Sequence, residues 1–156
     1  MTKFQVTLAD LRKAGACISG YNRLVRSLQG LAFSDDDKRR ETYIKFAHKE
    51  QISLLYVLDS NGLDDSLWAA RCIKGAKTDR DLRLFAVWCA REVQHLMADD
   101  QRKALDVAER HGNGEATDDE LAAARDAAWA AARDAQKEMF IKMCKGWAPW
   151  QLDQSK

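Results

Sequence analysis

Thr117–Cys144 reads TDDELAAARDAAWAAARDAQKEMFIKMC. Thr117 with Glu120 three residues later has the form of a capping box. The hydroxyl takes the N–H of the third helical residue, and the carboxylate reaches back to the cap's own N–H. No glycine or proline follows within the stretch, which is long enough for more than seven turns at ~3.6 residues per turn. The hexapeptide AAARDA occurs twice, at Ala122–Ala127 and Ala130–Ala135. Alanine loses no side-chain entropy in a helix and leaves room for a close neighbour. The stretch therefore predicts one long helix with Leu121, Ala124, Ala128, Ala131, Ala135 and Met139 on its packing face. Its two Arg-Asp pairs, Arg125-Asp126 and Arg133-Asp134, drift apart by about 80° at ~100° per residue, so they form no straight charged seam. The repeat reads as a packing device.

Working outward, the rest of the chain is also helical in pattern. The only proline is Pro149, so nothing before it forbids long helices. Thr7 begins a short helix that ends near Gly15. A second runs from about Ser19 to Gln29, stopped by Gly30, with Leu24, Val25 and Leu28 on its apolar face. Ser34 opens a third, with Asp35, Asp36 and Asp37 at the positive end of its dipole. Asp35 and Asp36 stand four residues before Arg39 and Arg40 for ion pairing. That helix is predicted to continue through Tyr43, Ile44 and Phe46, with a break near His48–Lys49. Gln51–Asp59 follows as a buried helix, closed by Ser60-Asn61-Gly62. Asp64 and Asp65 start another, closed by Gly75. Asp79–Met97 carries Leu82, Phe85, Ala86, Cys89, Val93 and Leu96 as one apolar stripe, widened by Leu84, Val87 and Trp88. Apolar on most sides, it is expected in the middle of a bundle. A helix from Asp99 or Asp100 to His111 stops at Gly112-Asn113-Gly114. The expectation is an all-α, single-domain bundle of about seven helices with a long Ala-rich C-terminal helix.

The 156 residues carry a net charge of +1, with 46% hydrophobic and 31% charged residues. That composition is globular, and the small net charge argues against strong non-specific binding to nucleic acid. Acids and bases are uneven, with Lys3, Arg12, Lys13, Arg23 and Arg26 set against Asp10 in the first thirty residues. Cys17, Cys72, Cys89 and Cys144 form no CxxC pair and read as reduced, buried small hydrophobes. Met1–Lys13 lacks the apolar core of a signal peptide, and the longest apolar run, Leu84–Ala90, is far too short to span a membrane. A cytoplasmic protein is expected.

Chemistry-bearing patterns are sparse. Glu92-Val-Gln-His95 has the Glu-x-x-His spacing of di-iron bundles, but those use it twice, and neither His48 nor His111 has a glutamate three positions earlier. No metal or cofactor is expected. His111–Gly114 lacks the spacing of a phosphate cradle, and no GxSxG elbow occurs. Cys17 has no nameable histidine partner, and Asp118, Asp119 and Glu120 are explained by their place in a first helical turn. A basic run, Arg71, Lys74, Lys77, Arg80 and Arg83, recurs every third residue and suits an acidic partner or a phosphate backbone. Trp68, Trp88 and Trp129 are expected in the core. Trp147 and Trp150, which flank Pro149, are the better anchors for a contact surface. Trp147, Trp150, Arg71, Lys74 and Lys77 are thus the candidate partner-binding residues.

Three blocks resemble a family of small helical proteins from phages and bacteria. They are Leu8-x-x-Leu11-x-x-x-Gly15-Ala16-Cys17; Arg83-Leu-Phe-Ala86 with Cys89-Ala-Arg91 and His95-Leu96; and Val107-Ala-Glu-Arg110 with Gly114-x-Ala-Thr-Asp-x-Glu-Leu-Ala-Ala-Ala-Arg125. Some members are described as immunity proteins from polymorphic-toxin neighbourhoods, and many have no assigned role. Relatives often carry tryptophan shortly after the Gly-Ala-Cys block, where this chain has Tyr21. The resemblance implies a helical fold and a non-enzymatic protein that binds and blocks a toxin or a host defence component. The alternatives are a nucleic-acid-binding helical protein, or a metal-dependent helical enzyme at Glu92 and His95.

Overall fold

The computed structural model describes residues 4–144. Eight α-helices and one two-stranded sheet lie among them, so the protein is all-α in class. The chain divides into two compact units, Met1–Thr78 and Asp79–Lys156.

In the first unit, β1 (Gln5–Val6) precedes α1 (Leu8–Lys13) and α2 (Ile18–Leu28). Thr7 caps α1: its hydroxyl accepts the Asp10 N–H, and the Asp10 carboxylate accepts the Thr7 N–H. The Thr7 hydroxyl also donates to that carboxylate, and with the Thr7 N–H it holds the Asp10 carboxyl below the usual range. α2 buries Leu24 and Val25 at helical spacing, with Leu28 against the same core. Its cap is Cys17, whose Sγ accepts the Gly20 N–H.

The third helix is much shorter than its sequence suggests. α3 covers only Asp35–Arg39, and Arg40 is already extended. One reason lies on α2. Asn22 is fully buried and holds the following segment as a neighbouring strand would: its Nδ2 donates to the Thr42 carbonyl and its Oδ1 accepts the Ile44 N–H. Tyr43 meets the Tyr21 ring edge-on and donates from its hydroxyl to the Ala16 carbonyl. Those tertiary bonds replace a helical ladder. With so short a helix the expected i,i+4 ion pairs do not form. Asp35 pairs with Lys38 and Asp36 with Arg39, each three residues apart. Asp37 turns inward instead. It is buried, caps Ser34, and takes three hydrogen bonds from the Arg26 guanidinium.

β2 (Ile52–Ser53) pairs antiparallel with β1, Gln5 opposite Ser53 and Val6 opposite Ile52. α4 (Leu54–Asn61) therefore starts three residues later than expected, and Gly62, at φ +92°, ends it. α5 (Leu63–Ala70) buries Ser66, Ala69 and Ala70. The Ser66 hydroxyl donates to the Leu54 carbonyl, tying α5 to the first residue of α4.

The second unit is built on α6 (Ala76–Glu92), α7 (Asp99–Gly112) and α8 (Asp118–Cys144), with a 3-10 turn at Gln94–Leu96. α6 and α7 run antiparallel. Arg91, near the end of α6, donates to Asp106 and Glu109 on α7, and Arg80 donates to Asn113 beyond the far end. Gly112 permits the contact between them, since a Cβ there would stand 2.8 Å from Leu84 Cδ2. The capping box of α8 forms as expected between Thr117 and Glu120. Leu121 is buried and Ala124, Ala128, Ala131 and Ala132 are half-buried, a single face at helical spacing. Ala135 is exposed, and the side chain of Met139 lies outside the described residues.

Three expectations are overturned. α6 is not a central helix: its inner face is Leu84, Val87 and Arg91, while Phe85, Cys89, Val93 and Leu96 of the chosen stripe are exposed. The apolar spacing was real, but a helix with two apolar faces gives the periodicity no way to say which one is covered. Trp88 and Trp129, assigned to the core, are 60% and 67% exposed. Cys17 and Cys89 are exposed rather than buried, and Cys72 is half-buried. Burial pushes the Cys72 thiol pKa up, and the charge of Asp10 adds to it.

Candidate functional site

The residues singled out for partner binding have different fates. Trp147 and Trp150 lie outside the described residues. Arg71, the C-cap of α5, places its guanidinium 5.5 Å from the Trp68 ring centroid, a cation–π distance. Lys74 and Lys77 are exposed. Arg71, Lys74 and Lys77 belong to the first unit, Arg80 and Arg83 to the second, and Arg80 is held by Asn113.

Glu92 and His95 do not share a helical face. α6 ends at Glu92, His95 sits in the following 3-10 turn, and both side chains are exposed. Among the described residues, no three His, Cys, Asp or Glu side chains come together as a metal cage. His111 is instead drawn to the first turn of α8, with Nε2 at 2.6 Å from Asp118 Oδ1. No helix among the described residues is long and apolar enough to cross a membrane.

Sequence reasoning missed the outer face of α6. Phe85 and Trp88 stack there, with ring centroids 6.5 Å apart and planes 18° from parallel. Val93 and Leu96, past the end of the helix, are exposed as well, Leu96 at 77%. On α8, Arg133 covers the exposed Trp129 at 5.4 Å. A usable signal was present: the run Leu84–Ala90 holds too many large side chains for a helix packed on one side only.

A cleft of ≈330 Å³ opens in the first unit where the α1–α2 connection meets α4 and α5. Leu24, Val57, Tyr21 and Trp68 form much of its wall. Its polar lining includes Cys17, Asn61, Asp64 and Asp65. Asn61 Nδ2 donates to Asp65 Oδ2 at 2.8 Å and to the Gly20 carbonyl at 2.7 Å, joining α4 to both α5 and α2. Gly20 has no room for a side chain, since a Cβ would lie 2.9 Å from Asp65 Oδ2 and 3.1 Å from Cys17 Sγ. A smaller pocket of ≈210 Å³ in the second unit is lined by Arg83, His111 and Arg125 over an apolar floor that includes Val87 and Leu105.

Comparison with known proteins finds no matching family, no matching curated protein and no matching solved structure.

Proposed function

We propose that the protein acts by binding a protein partner and blocking it sterically, without catalysis, and that the outer face of α6 is its principal docking surface. The observation that carries this reading is the exposed stack of Phe85 on Trp88. Large aromatic side chains left in water offer apolar area that only an association recovers. Tryptophan and arginine are also the residues most enriched where binding energy concentrates. Trp129 with Arg133 and Trp68 with Arg71 repeat that pairing. Arg71, Lys74 and Lys77, in the first unit, would be a separate basic contact, whose charge steers encounter more than it sets affinity. A toxin or a host defence component is the partner class in keeping with the sequence resemblance described above.

The test is affinity capture by the full-length protein from its native host, read by mass spectrometry. The reading expects a specific protein to be retained by wild type and its retention to fall at least roughly tenfold with Trp88→Ala. A Lys103→Ala control should retain it fully. If wild type retains nothing specific, or Trp88→Ala retains it unchanged, the reading fails.

A further inference from the structure

We propose that the cleft in the first unit binds a primary ammonium group carried on an aliphatic or aromatic body. Two independent features of the cleft lead to this class of ligand.

The first is the apolar volume. A cleft of ≈330 Å³ walled by Leu24, Val57, Tyr21 and Trp68 lies in the range of small-molecule sites and takes a body of about ten to fifteen non-hydrogen atoms. The second is the sign of its charged lining. Asp64 and Asp65 both line the cleft, and no lysine, arginine or histidine does. Arg12 and Arg71 stand over the Tyr21 and Trp68 rings, but neither belongs to the lining. An anionic ligand would therefore bring like charges together in a partly desolvated space. A neutral ligand could at best donate a hydrogen bond and would bring no charge to offset the two carboxylates.

Asp65 is also held in place. Asn61 fixes its Oδ2, leaving Oδ1 without a hydrogen-bond partner among the described residues. The bare Cα of Gly20 leaves room for both this carboxylate and the Cys17 sulfur. An ammonium group has three N–H donors and no acceptor. Asp65 Oδ1 is the acceptor open to it, and Asp64 adds a second negative charge to the lining. A free amine and the side chain of a lysine on another protein share this chemistry, and the experiment separates them.

The test titrates isotope-labelled full-length protein with 2-phenylethylamine, 2-phenylethanol and phenylacetate while following the Trp68 indole resonance. The proposal expects saturable shifts with the amine, binding at least roughly tenfold weaker for the alcohol, and none for the acid up to about 10 mM. Asp65→Asn keeps the shape of the side chain and should weaken the amine by at least roughly tenfold. The comparison among the three probes needs no variant, so it stands even if that substitution disturbs folding. A fourth titration with the blocked tripeptide Ac-Ala-Lys-Ala-NH2 distinguishes the sources. Tighter binding than the free amine assigns the site to a protein lysine, and weaker binding assigns it to a small amine. Equal binding of amine and alcohol, binding of the acid, or no response of Trp68 to the amine would overturn the proposal.

Discussion

Asn22 Oδ1 accepts the Ile44 N–H at 2.8 Å from a side chain wholly withdrawn from water. With its Nδ2 on the Thr42 carbonyl, the same side chain satisfies a donor and an acceptor in a segment that has no ladder of its own. Asn22→Leu leaves both groups unpaired and is expected to cost roughly 2–4 kcal/mol. Asn22→Asp keeps the acceptor for Ile44 but sets a carboxylate oxygen against the Thr42 carbonyl, so it too should destabilise. Urea unfolding followed by circular dichroism measures both. An unchanged midpoint for Asn22→Leu would show that the segment does not depend on this contact.

Asp37 should make the first unit sensitive to acid. The Arg26 guanidinium, with the Ser34 N–H and hydroxyl, holds the Asp37 carboxyl far below the ordinary value of 3.8. A depressed folded-state value means that the group contributes stability above the unfolded-state value. The contribution is lost as pH falls below 3.8 toward the folded-state value. Asp37→Asn is therefore expected to be less stable than wild type at neutral pH, with the gap narrowing as the pH drops below 3.8. Asp36→Asn, whose carboxylate is exposed and pairs with Arg39, should show little gap at any pH. Denaturation midpoints across pH 2–7 decide it.

Thr117→Ala removes the hydroxyl that accepts the Glu120 N–H and is expected to cost about 1 kcal/mol. Thr117→Ser should cost much less, because the cap survives. Thermal melts of the two variants test whether the start of α8 carries weight in the stability of the second unit.

The two faces of α6 and the exposed face of α8 should separate stability from binding. Leu105→Ala, at a buried position on α7, is expected to cost roughly 2–5 kcal/mol. Trp88→Ala and Trp129→Ala remove exposed rings and should change stability by less than about 0.5 kcal/mol while weakening partner capture. A large loss of stability in Trp88→Ala would mean that this ring is packed in solution.

Legibility followed how local the signal was. The caps at Thr7, Ser34 and Thr117 lie within three residues of their partners, and each forms as its spacing suggests. The stop at Gly62 is equally local, at φ +92°. What escaped was set by distant residues. The segment after α3 carries Ile44 buried, Lys45 exposed, Phe46 half-buried and Ala47 exposed. That is a period of two, but it is brief, and the side chain that holds it open is Asn22, some twenty positions earlier. The pairing of Val6 with Ile52 likewise joins strands too short to show any pattern. The cleft was invisible for the same reason, because the first turn of α2 reaches Asn61 and Asp65 only through tertiary packing. On α6, spacing identified apolar positions correctly but could not say which face a neighbour would cover.

α8 is 27 residues long and α7 is 14, so at ~1.5 Å per residue the long helix outruns its companion by about 20 Å. Past Ala132, the described side chains of Arg133, Asp134, Ala135, Lys137, Glu138 and Ile141 are all exposed. Where those side chains stand in water, helicity rests on backbone preference, and Ala135, Lys137 and Glu138 are all strong helix formers. The repeat thus ends about where the covered face does: near Leu121 its alanines space a neighbour, and past Ala135 longer side chains take their place. Amide exchange along α8 should accordingly run down a slope rather than switch at a single threshold.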